Sequence, residues 1–358
     1  MADVFAIQDE IAHAIASALK VKLSPEAATR RHTPGIPAYE AFLKARHFQR
    51  KGTPESYRRA RECLERSIAL DPDFALAYAE LAACLRDGAG WQVETAVEAL
   101  PRARTFAQRA LEIDPALPEA HAELAAVALF LDYDWEMAGH HLRLAMAHDP
   151  IPAAVSHLYG FYYLMPLGRI REAIAELERS LTEDPLNTLC RTQLAVLHWE
   201  AGSHDEASAQ FRQVLELDEN FWLALMVQAI WQAELGNIKQ GLAFAERAYA
   251  VEPKNPGSVG ALAGLISRRG DPERAGQLLG ELGDFSAYGV PIGLNIYHYI
   301  RKEFDKAADW AEKGIEEHHP HILPLTCGPI RKHYVACGEW PRLARLLRLS
   351  GSDRGTPA

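Results

Sequence analysis

The sequence has few cysteines, and none of them stands in a metal-binding or disulfide-framework pattern. Its 358 residues include five, at Cys63, Cys84, Cys190, Cys327 and Cys337. No two are spaced as Cys-x-x-Cys, and an odd number leaves at least one without a partner in the chain. We therefore expect reduced and buried thiols, which are typical of a cytoplasmic protein.

Long apolar runs and an excess of positive charge are also missing. No stretch approaches the ~20 apolar residues of a membrane-spanning helix, and the start at Met1-Ala2-Asp3 lacks the basic segment of a secretory signal. The 38 lysines and arginines stand against 48 acidic residues, so the formal net charge is −10. Because nucleic acid is bound by a basic surface, we expect neither a membrane span nor a nucleic-acid partner.

Known catalytic signatures are absent as well. The sequence has no Gly-x-Ser-x-Gly, no His-Glu-x-x-His and no dinucleotide-binding fingerprint. Its acidic clusters, such as Glu172, Glu176, Glu178 and Glu183, fit ordinary solvated helix surface. We predict a protein that is not an enzyme and uses no cofactor and no metal. The alternative is an enzyme built from scattered residues on an inner surface.

The residues that are plentiful are those of helices. Hydrophobic residues make up 48% of the chain, and alanine and leucine dominate over valine and isoleucine, which favours helix over strand. Between Ala154 and Pro253 one unit occurs three times with a period of 34 residues. Its landmarks are a glycine and a closing acidic motif, namely Gly168, Gly202 and Gly236 with Asp184-Pro185, Asp218-Glu219 and Glu252-Pro253. Such a period is typical of a helix–turn–helix unit that buries its apolar faces only by stacking on its copies.

The same unit extends in both directions and gives eight predicted repeats. They cover about 38–73, 74–115, 117–150, 151–185, 186–219, 220–253, 255–284 and 286–319. The second is longer by about nine residues near Asp87 to Thr95, and insertions of that kind fall in loops. Thr53-Pro54-Glu55 and Asp271-Pro272-Glu273 predict helix starts. The glycines between helices predict left-handed backbone.

Two segments lie outside the repeats. Residues 3–22 predict an N-terminal helix with one apolar face, and the proline- and glycine-containing residues 23–37 predict a linker. Residues 341–349 predict a short helix whose leucines cover the last repeat. The expected division is 1–37 for the helix and linker, 38–320 for the repeat array, and 321–358 for a capping segment and tail.

The spacing and residue types over 38–320 resemble the tetratricopeptide repeat family. This resemblance implies an all-α, right-handed superhelix of about eight helical hairpins. In a narrower resemblance, Phe5–Ala12 is similar to the end of a TolB-like domain in bacterial signalling proteins. In those proteins this domain is followed by repeats that open like Ala38–Leu43. Tyr133-Asp134-Trp135 and the eighth repeat also resemble that group. Its members often carry an adenylate-cyclase or winged-helix domain upstream, so this chain is either a piece of such a protein or a stand-alone repeat protein.

In the repeat family, the second, fifth, ninth and twelfth positions of each first helix line the concave groove. Transferred to the middle repeats, these positions form a strip of mostly apolar, aromatic and methionine side chains. The candidate residues for a peptide-binding groove are Leu158, Tyr162, Met165, Thr192, Val196, Trp199, Met226 and Ile230. Glu200 and Glu234 border this strip.

Exposed apolar strips of this kind usually bind a partner. We therefore expect an extended peptide or a helix in the groove. The alternative is that the chain covers the strip itself, through the N-terminal helix or through tight closure of the superhelix.

Three glycines of the seventh repeat, Gly257, Gly260 and Gly264, fall on the matching groove positions. They weaken a helix by about 1 kcal/mol each relative to alanine. One interpretation is that a ligand backbone approaches closely here. The other, which we favour, is a locally weak helix or close packing against a neighbouring helix.

Histidines cluster at His140-His141 and at His318, His319 and His321. Such clusters can bind a transition metal. No cysteine or carboxylate pattern completes a ligand set here, which favours solvated histidines.

We therefore predict a cytoplasmic protein-interaction scaffold or sensor module of a bacterial signalling system. Stacked hairpins would hold a curved surface in one shape, so little ordering is lost on binding. Two alternatives stay open: an enzyme or metal-dependent protein with a site on the inner surface, and a module that self-assembles as a homodimer through its end repeats.

Overall fold

The computed structural model describes residues 32–349. Residues from Gly35 onward form one compact unit, while His32–Pro34 belong to a separate one and have no regular structure. The described residues contain nineteen α-helices and no strand. The helices are α1 Ile36–Gln49, α2 Pro54–Leu70, α3 Ala75–Gly90, α4 Ala96–Ile113, α5 Pro118–Val127, α6 Trp135–Met146, α7 Ala153–Leu158, α8 Ile170–Glu183, α9 Thr188–Glu200, α10 His204–Leu217, α11 Trp222–Glu234, α12 Ile238–Val251, α13 Pro256–Arg268, α14 Pro272–Gly280, α15 Val290–Ile300, α16 Phe304–Glu316, α17 Ile322–Cys327, α18 Arg331–Ala336 and α19 Trp340–Leu346.

Consecutive helices pack in pairs, from α1 with α2 to α15 with α16, and so form eight hairpins. The predicted all-α superhelix of about eight hairpins is confirmed. The helices α5 and α7 continue into π-helical turns, Ala128–Asp132 and Tyr159–Leu164. The predicted N-terminal helix 3–22 lies outside the described residues.

The turns inside the hairpins follow the sequence signals. The four inter-helix glycines Gly168, Gly202, Gly236 and Gly270 have φ angles of 75°, 77°, 83° and 95°. A left-handed angle favours glycine, which has no Cβ to clash. The predicted helix start at Thr53 is also present, because its Oγ1 accepts a hydrogen bond from the Ser56 N–H at 3.2 Å.

The seventh-repeat glycines mark a close crossing of α13 and α15. A Cβ atom on Gly260 would lie 2.0 Å from the Gly293 carbonyl oxygen, and one on Gly264 would lie 2.9 Å from Ile300 Cβ. A Cβ on Gly257 would lie 2.7 Å from Met226 Sδ. Close packing against a neighbouring helix therefore accounts for these glycines.

The superhelix closes on itself through the insertion of the second repeat. Helix α3 extends to Gly90, and the next residue, Trp91, is buried. The Trp91 ring lies 5.4 Å from the ring of Trp222 in the sixth repeat and 5.8 Å from that of His321 near the C-terminal end. Aromatic pairs at these distances add to the stabilisation from burial.

Hydrogen bonds between distant repeats run alongside these ring contacts. The Tyr133 hydroxyl donates to the Ile315 carbonyl at 2.9 Å, and Trp135 Nε1 donates to the Leu347 carbonyl at 2.8 Å. The Tyr288 hydroxyl donates to the Ala89 carbonyl at 3.0 Å. The second and third repeats therefore contact the eighth repeat and the segment that follows it.

The last three helices form a C-terminal segment that packs against α16 of the last repeat. Predicted helix 341–349 is present as α19, and its Leu343 is fully buried. Arg342 forms ion pairs with Asp309 and Glu312 of α16 at 2.9 Å each. Across the described residues, no helix combines the length and the apolar character needed to cross a bilayer.

Candidate binding cavity

The closed superhelix surrounds a central cavity of about 520 Å³. That volume lies within the range of sites that bind small molecules, about 300–1,000 Å³. One wall comes from the first helices of the fourth to sixth repeats. The second wall comes from the first three repeats and from residues 319–330.

Seven of the eight predicted groove residues line this cavity. They are Leu158, Tyr162, Thr192, Val196, Trp199, Met226 and Ile230. Most are buried within the chain, whereas Tyr162 and Val196 are half-buried. Met165 does not line the cavity, because it is fully buried with its Sδ near Gly328. The strip thus faces a partly enclosed space, and its role in peptide binding stays a prediction.

The segment 319–330 covers part of the inner side. Its Pro320, Pro324, Leu325, Pro329 and Ile330 also line the cavity, and its helix α17 contacts the turn Tyr159–Leu164 of the fourth repeat. The sequence predicts this segment as the end of the last repeat and the start of the cap, outside the site. The prolines and leucine gave no signal of their location, since such residues also suit an ordinary capping segment.

A charged cluster occupies one end of the cavity. Arg86 lies near the end of α3, and its Nε lies 3.0 Å from Asp87 Oδ1. Its Nη1 lies 3.4 Å from Oε1 of Glu123 in α5. The side chains of Arg86 and Glu123 are buried, with 14% and 8% of their surface exposed. Glu80, one turn and a half before Arg86, also lines the cavity.

Burial changes the acid–base behaviour of this cluster. It raises the pKa of Glu123 to about 7, although the nearby Arg86 acts in the opposite direction. Burial also raises the pKa of Glu80. Because the charged form is costly away from water, both carboxylates are held in an environment with too little positive charge.

A hydrogen-bonded chain adjoins the charged cluster. His157 Nε2 donates to Gln193 Oε1, and Gln193 Nε2 donates to the Tyr162 hydroxyl at 3.1 Å. Burial lowers the pKa of His157 and raises that of Tyr162 to about 12. Both groups are therefore neutral near pH 7 and offer hydrogen bonds rather than charge.

The histidines near residue 320 are packed inside the protein, so the expectation that they are solvated is wrong. His319 is buried against Tyr288, with ring centroids 5.0 Å apart, and His318 stacks on Tyr133 at 5.3 Å. Burial lowers the pKa of His321 to about 4. Closure brings these side chains against the first three repeats, a contact that a linear pattern cannot reveal.

The other histidine pair is only partly exposed to solvent. His140 is exposed, but His141 is half-buried and its Nδ1 lies 3.2 Å from Nδ1 of His121. Within residues 32–349 no group of three or more His, Cys, Asp or Glu side chains is placed to hold a metal ion.

The rim of the cavity is marked by its exposed lining residues. These are Arg46 and Arg50 at the end of α1, Ala154 at the start of α7, and Glu183 at the end of α8. Arg50 Nη2 lies 3.1 Å from Asp184 Oδ2, so an ion pair joins the two sides of the rim.

Comparisons with known proteins agree with this architecture. Residues 164–229 match the family model described as tetratricopeptide repeat. The structure of yeast Tom70 is similar to this chain with a TM-score of 0.51 and 16% identity, over 91% of this chain and 70% of Tom70. The structure of Pseudomonas aeruginosa pilF is similar with a TM-score of 0.46 and 21% identity, over 66% of this chain and 97% of that one.

The chain contains tetratricopeptide repeats. A curated relative, named putative adenylate cyclase 3 of Rhizobium meliloti (strain 1021), is 35% identical over 82 residues. That match covers 22% of this chain and 14% of the relative. The chain thus corresponds to a small part of that protein's length.

Two glutamates at equivalent places in the fifth and sixth tetratricopeptide repeats differ in their surroundings. Burial alone would raise the pKa of Glu234, but hydrogen bonds from His333, Tyr299 and Lys332 outweigh it and lower the pKa to about 2. Burial raises the pKa of Glu200, with Arg331 and Lys332 acting against it. Glu234 therefore attaches α18 to the inner side of the repeats, since its Oε1 lies 2.8 Å from His333 Nε2.

The cysteines are distributed among the repeats and the C-terminal segment without disulfide bonds. Cys84, Cys190 and Cys327 are buried, Cys63 is half-buried and Cys337 is exposed. Burial raises the pKa of Cys190 to about 11 and that of Cys327 to about 12. Protonated thiols of this kind are poor nucleophiles.

Proposed function

We propose that this chain is a non-enzymatic protein-interaction module that holds a short peptide segment in its central cavity. The observation that carries the proposal is the position of the predicted strip: Tyr162, Val196 and Trp199 line a partly enclosed space of about 520 Å³. Tetratricopeptide repeats and other solenoids use such inner surfaces for binding. Aromatic and methionine side chains suit this role because they provide large contact areas.

We also propose that the module acts within a cytoplasmic bacterial signalling protein. Support comes from the 35% identity to part of a putative adenylate cyclase. In this role the repeats would be a sensor or scaffold arm that recognises another protein and does not carry out catalysis.

A rim substitution tests peptide binding without removing core side chains. Ala154 is exposed at the rim, so Ala154→Trp should narrow the entrance and leave the fold intact. Peptides selected from a random display library against the purified chain should bind the variant at least about tenfold more weakly, measured by isothermal titration calorimetry. Ala154→Ser is the matched control and should keep the wild-type affinity.

Two results would contradict the proposal. One is a library that yields no binding peptide. The other is a selected peptide that binds wild type and Ala154→Trp equally, since its site would then lie elsewhere. The triple variant Tyr162→Ala/Trp199→Ala/Met226→Ala provides a second check if circular dichroism shows that it is folded, and it should also lose the peptide.

A further inference from the structure

The charged end of the cavity holds more negative than positive charge. Its carboxylates come from the second and third repeats, and its guanidinium groups come from α1 and α3. Among the described lining residues they are Glu80, Asp87 and Glu123 on the acidic side and Arg86 and Arg46 on the basic side. Arg46 is exposed at the rim, whereas Arg86 is half-buried. The described lining of this end therefore carries one more carboxylate than guanidinium.

Arg86 cannot satisfy the whole cluster. Its Nε lies 3.0 Å from Asp87 Oδ1 without the geometry of a hydrogen bond, and its Nη1 lies 3.4 Å from Glu123 Oε1. The second carboxylate oxygen of Glu123, Oε2, is buried and accepts no hydrogen bond, and the same holds for Oε1 of Gln49. Both residues line the cavity. A buried acceptor without a donor costs about 1–3 kcal/mol, and more when it is charged.

The neighbouring histidines do not supply the missing charge. Burial lowers the pKa of His157, and it lowers that of His319 well below the ordinary value. His319 Nδ1 accepts from the His321 N–H at 3.2 Å, so its proton is on Nε2. That Nε2 is buried, lines the cavity and has no partner, and it therefore offers one further donor.

Apolar and aromatic side chains line much of the rest of the cavity, together with polar ones such as Gln193. Trp91 stands next to the charged cluster, and Trp199, Trp222 and Met226 lie along the walls. Tryptophan faces attract cations, and desolvated contacts of this type are worth about 2 kcal/mol. An occupant with a cationic end and an apolar body would therefore meet suitable groups along its whole length.

We propose that the cavity recognises a cationic nitrogen group, an ammonium or a guanidinium, carried on an apolar body. The group would donate hydrogen bonds to Glu123 Oε2 and Gln49 Oε1 and balance the charge that Arg86 leaves. If the cationic group belongs to a peptide, the proposal rests on the peptide-binding function proposed above. A free amine of the same size offers the same chemistry, and the experiment separates the two sources.

The test compares matched cationic and neutral probes by isothermal titration calorimetry on the full chain. The peptide pair is acetyl-Leu-Leu-Lys-amide and acetyl-Leu-Leu-Gln-amide, and the small-molecule pair is 4-phenylbutylamine and 4-phenylbutanol. The cationic member of at least one pair should bind about tenfold or more tightly than its neutral partner. Glu123→Gln and Asp87→Asn should each reduce that preference to about threefold or less.

Glu178→Gln is the matched control, because Glu178 is an exposed carboxylate on α8 outside the cavity. It should keep the wild-type preference. If a cavity variant does not fold, the wild-type comparison alone decides. Equal binding of charged and neutral members in both pairs would overturn the cationic site.

The two proposals fail in different ways. Peptides that bind equally with and without the charge, together with equal binding of the amine and the alcohol, would leave peptide binding intact and refute the cationic site. A preference for the amine over the alcohol, with neither peptide bound and no library peptide found, would support the cationic site and refute peptide binding. Binding of no probe at all would refute the cationic site.

Discussion

The two walls of the cavity are built in different ways. The wall from the fourth to sixth repeats, the periodic wall, places similar residues at intervals of 34 along the chain, as with Leu189 and Leu223. The second wall combines helices of the first three repeats with residues of the second-repeat insertion and of the segment 319–330, and these last two parts lie outside the period. Periodic packing thus builds the curved array, whereas the insertion and the C-terminal segment close it.

The walls also differ in what they offer to a ligand. Inside the rim, the polar groups of the periodic wall are neutral ones such as His157, Thr192 and Gln193, whereas the second wall contains the Arg86–Glu123 ion pair and His319. A buried charged group costs free energy unless it is paired and hydrogen-bonded. Binding of a suitable ligand would therefore reduce a free-energy cost in the second wall, whereas the periodic wall has no such cost.

The largest expected effect comes from separating the two walls. Trp91→Ala removes the ring that contacts Trp222 and His321. We expect the free energy of unfolding to fall by about 3–5 kcal/mol, the usual cost of removing a buried aromatic side chain. Chemical denaturation followed by circular dichroism measures it.

Trp310→Ala is the matched control for this substitution. Trp310 is half-buried on α16 and its ring contacts Lys313 at 3.8 Å, away from the closure. We expect a loss of about 1 kcal/mol or less. Equal losses for the two variants would show that the contact at Trp91 contributes nothing special to stability.

The second prediction concerns the free-energy cost of burying the Glu123 carboxylate in the second wall. The pKa of Glu123 is raised from 4.5 to about 7, so the folded state binds its proton more tightly than the unfolded state does. The stability that this carboxyl contributes is therefore present below pH 4.5 and is lost as pH rises through 7. Glu123→Gln should be more stable than wild type above pH 8, by up to about 3 kcal/mol, and nearly equal to it near pH 4.

Thermal unfolding across that pH range measures the difference. Glu178→Gln, on the exposed face of α8, should follow the wild-type curve throughout. If the stability of Glu123→Gln followed pH in parallel with that of wild type from pH 4 to pH 9, Arg86 and its neighbours would compensate the charge of Glu123 fully.

Much of the periodic wall was predictable from the sequence. Glycines such as Gly168 and Gly202 mark the turns, and the spacing of 34 fixes which residues of each first helix face inward. These signals are local, because a helix start or a left-handed turn depends on a few neighbouring residues. Seven of the eight candidate residues accordingly line one surface.

The second wall was not predictable in the same way. Small changes in the angle between successive hairpins add up over eight units, and they determine whether the first and last repeats meet. Trp91, His321 and Arg86 look like ordinary loop and helix residues until that contact is known. Met165 illustrates the same limit, because residues near Gly328 cover a position that would line an open groove.

The third prediction compares two equivalent glutamates, Glu200 and Glu234, in the fifth and sixth repeats. The pKa of Glu234 is lowered from 4.5 to about 2, so its stabilising contribution is present above pH 4.5 and is lost as pH falls towards 2. Glu234→Gln weakens the contacts to Tyr299, Lys332 and His333. We expect a loss of about 1–2 kcal/mol at pH 7 and a flatter decline of stability below pH 4.5.

Glu200→Gln should behave differently at the same pH. Burial raises the pKa of Glu200, so removing its charge relieves a cost and should leave stability at pH 7 unchanged or higher. Denaturation curves of both variants at pH 7 and pH 3 make the comparison. Equal losses at pH 7 would indicate that both glutamates attach the C-terminal segment.

The smallest expected effect lies at the rim, where an ion pair connects the two walls. Arg50 and Asp184 keep 59% and 25% of their side-chain surface exposed. Exposed pairs contribute about 0–1 kcal/mol and are screened by salt. Arg50→Gln should therefore lower the free energy of unfolding by about 0.5 kcal/mol or less, and by less still in 1 M salt. Chemical denaturation at low and high salt measures both values. A loss above about 1 kcal/mol at either salt concentration would mean that closure depends on the rim as well as on the buried contact at Trp91.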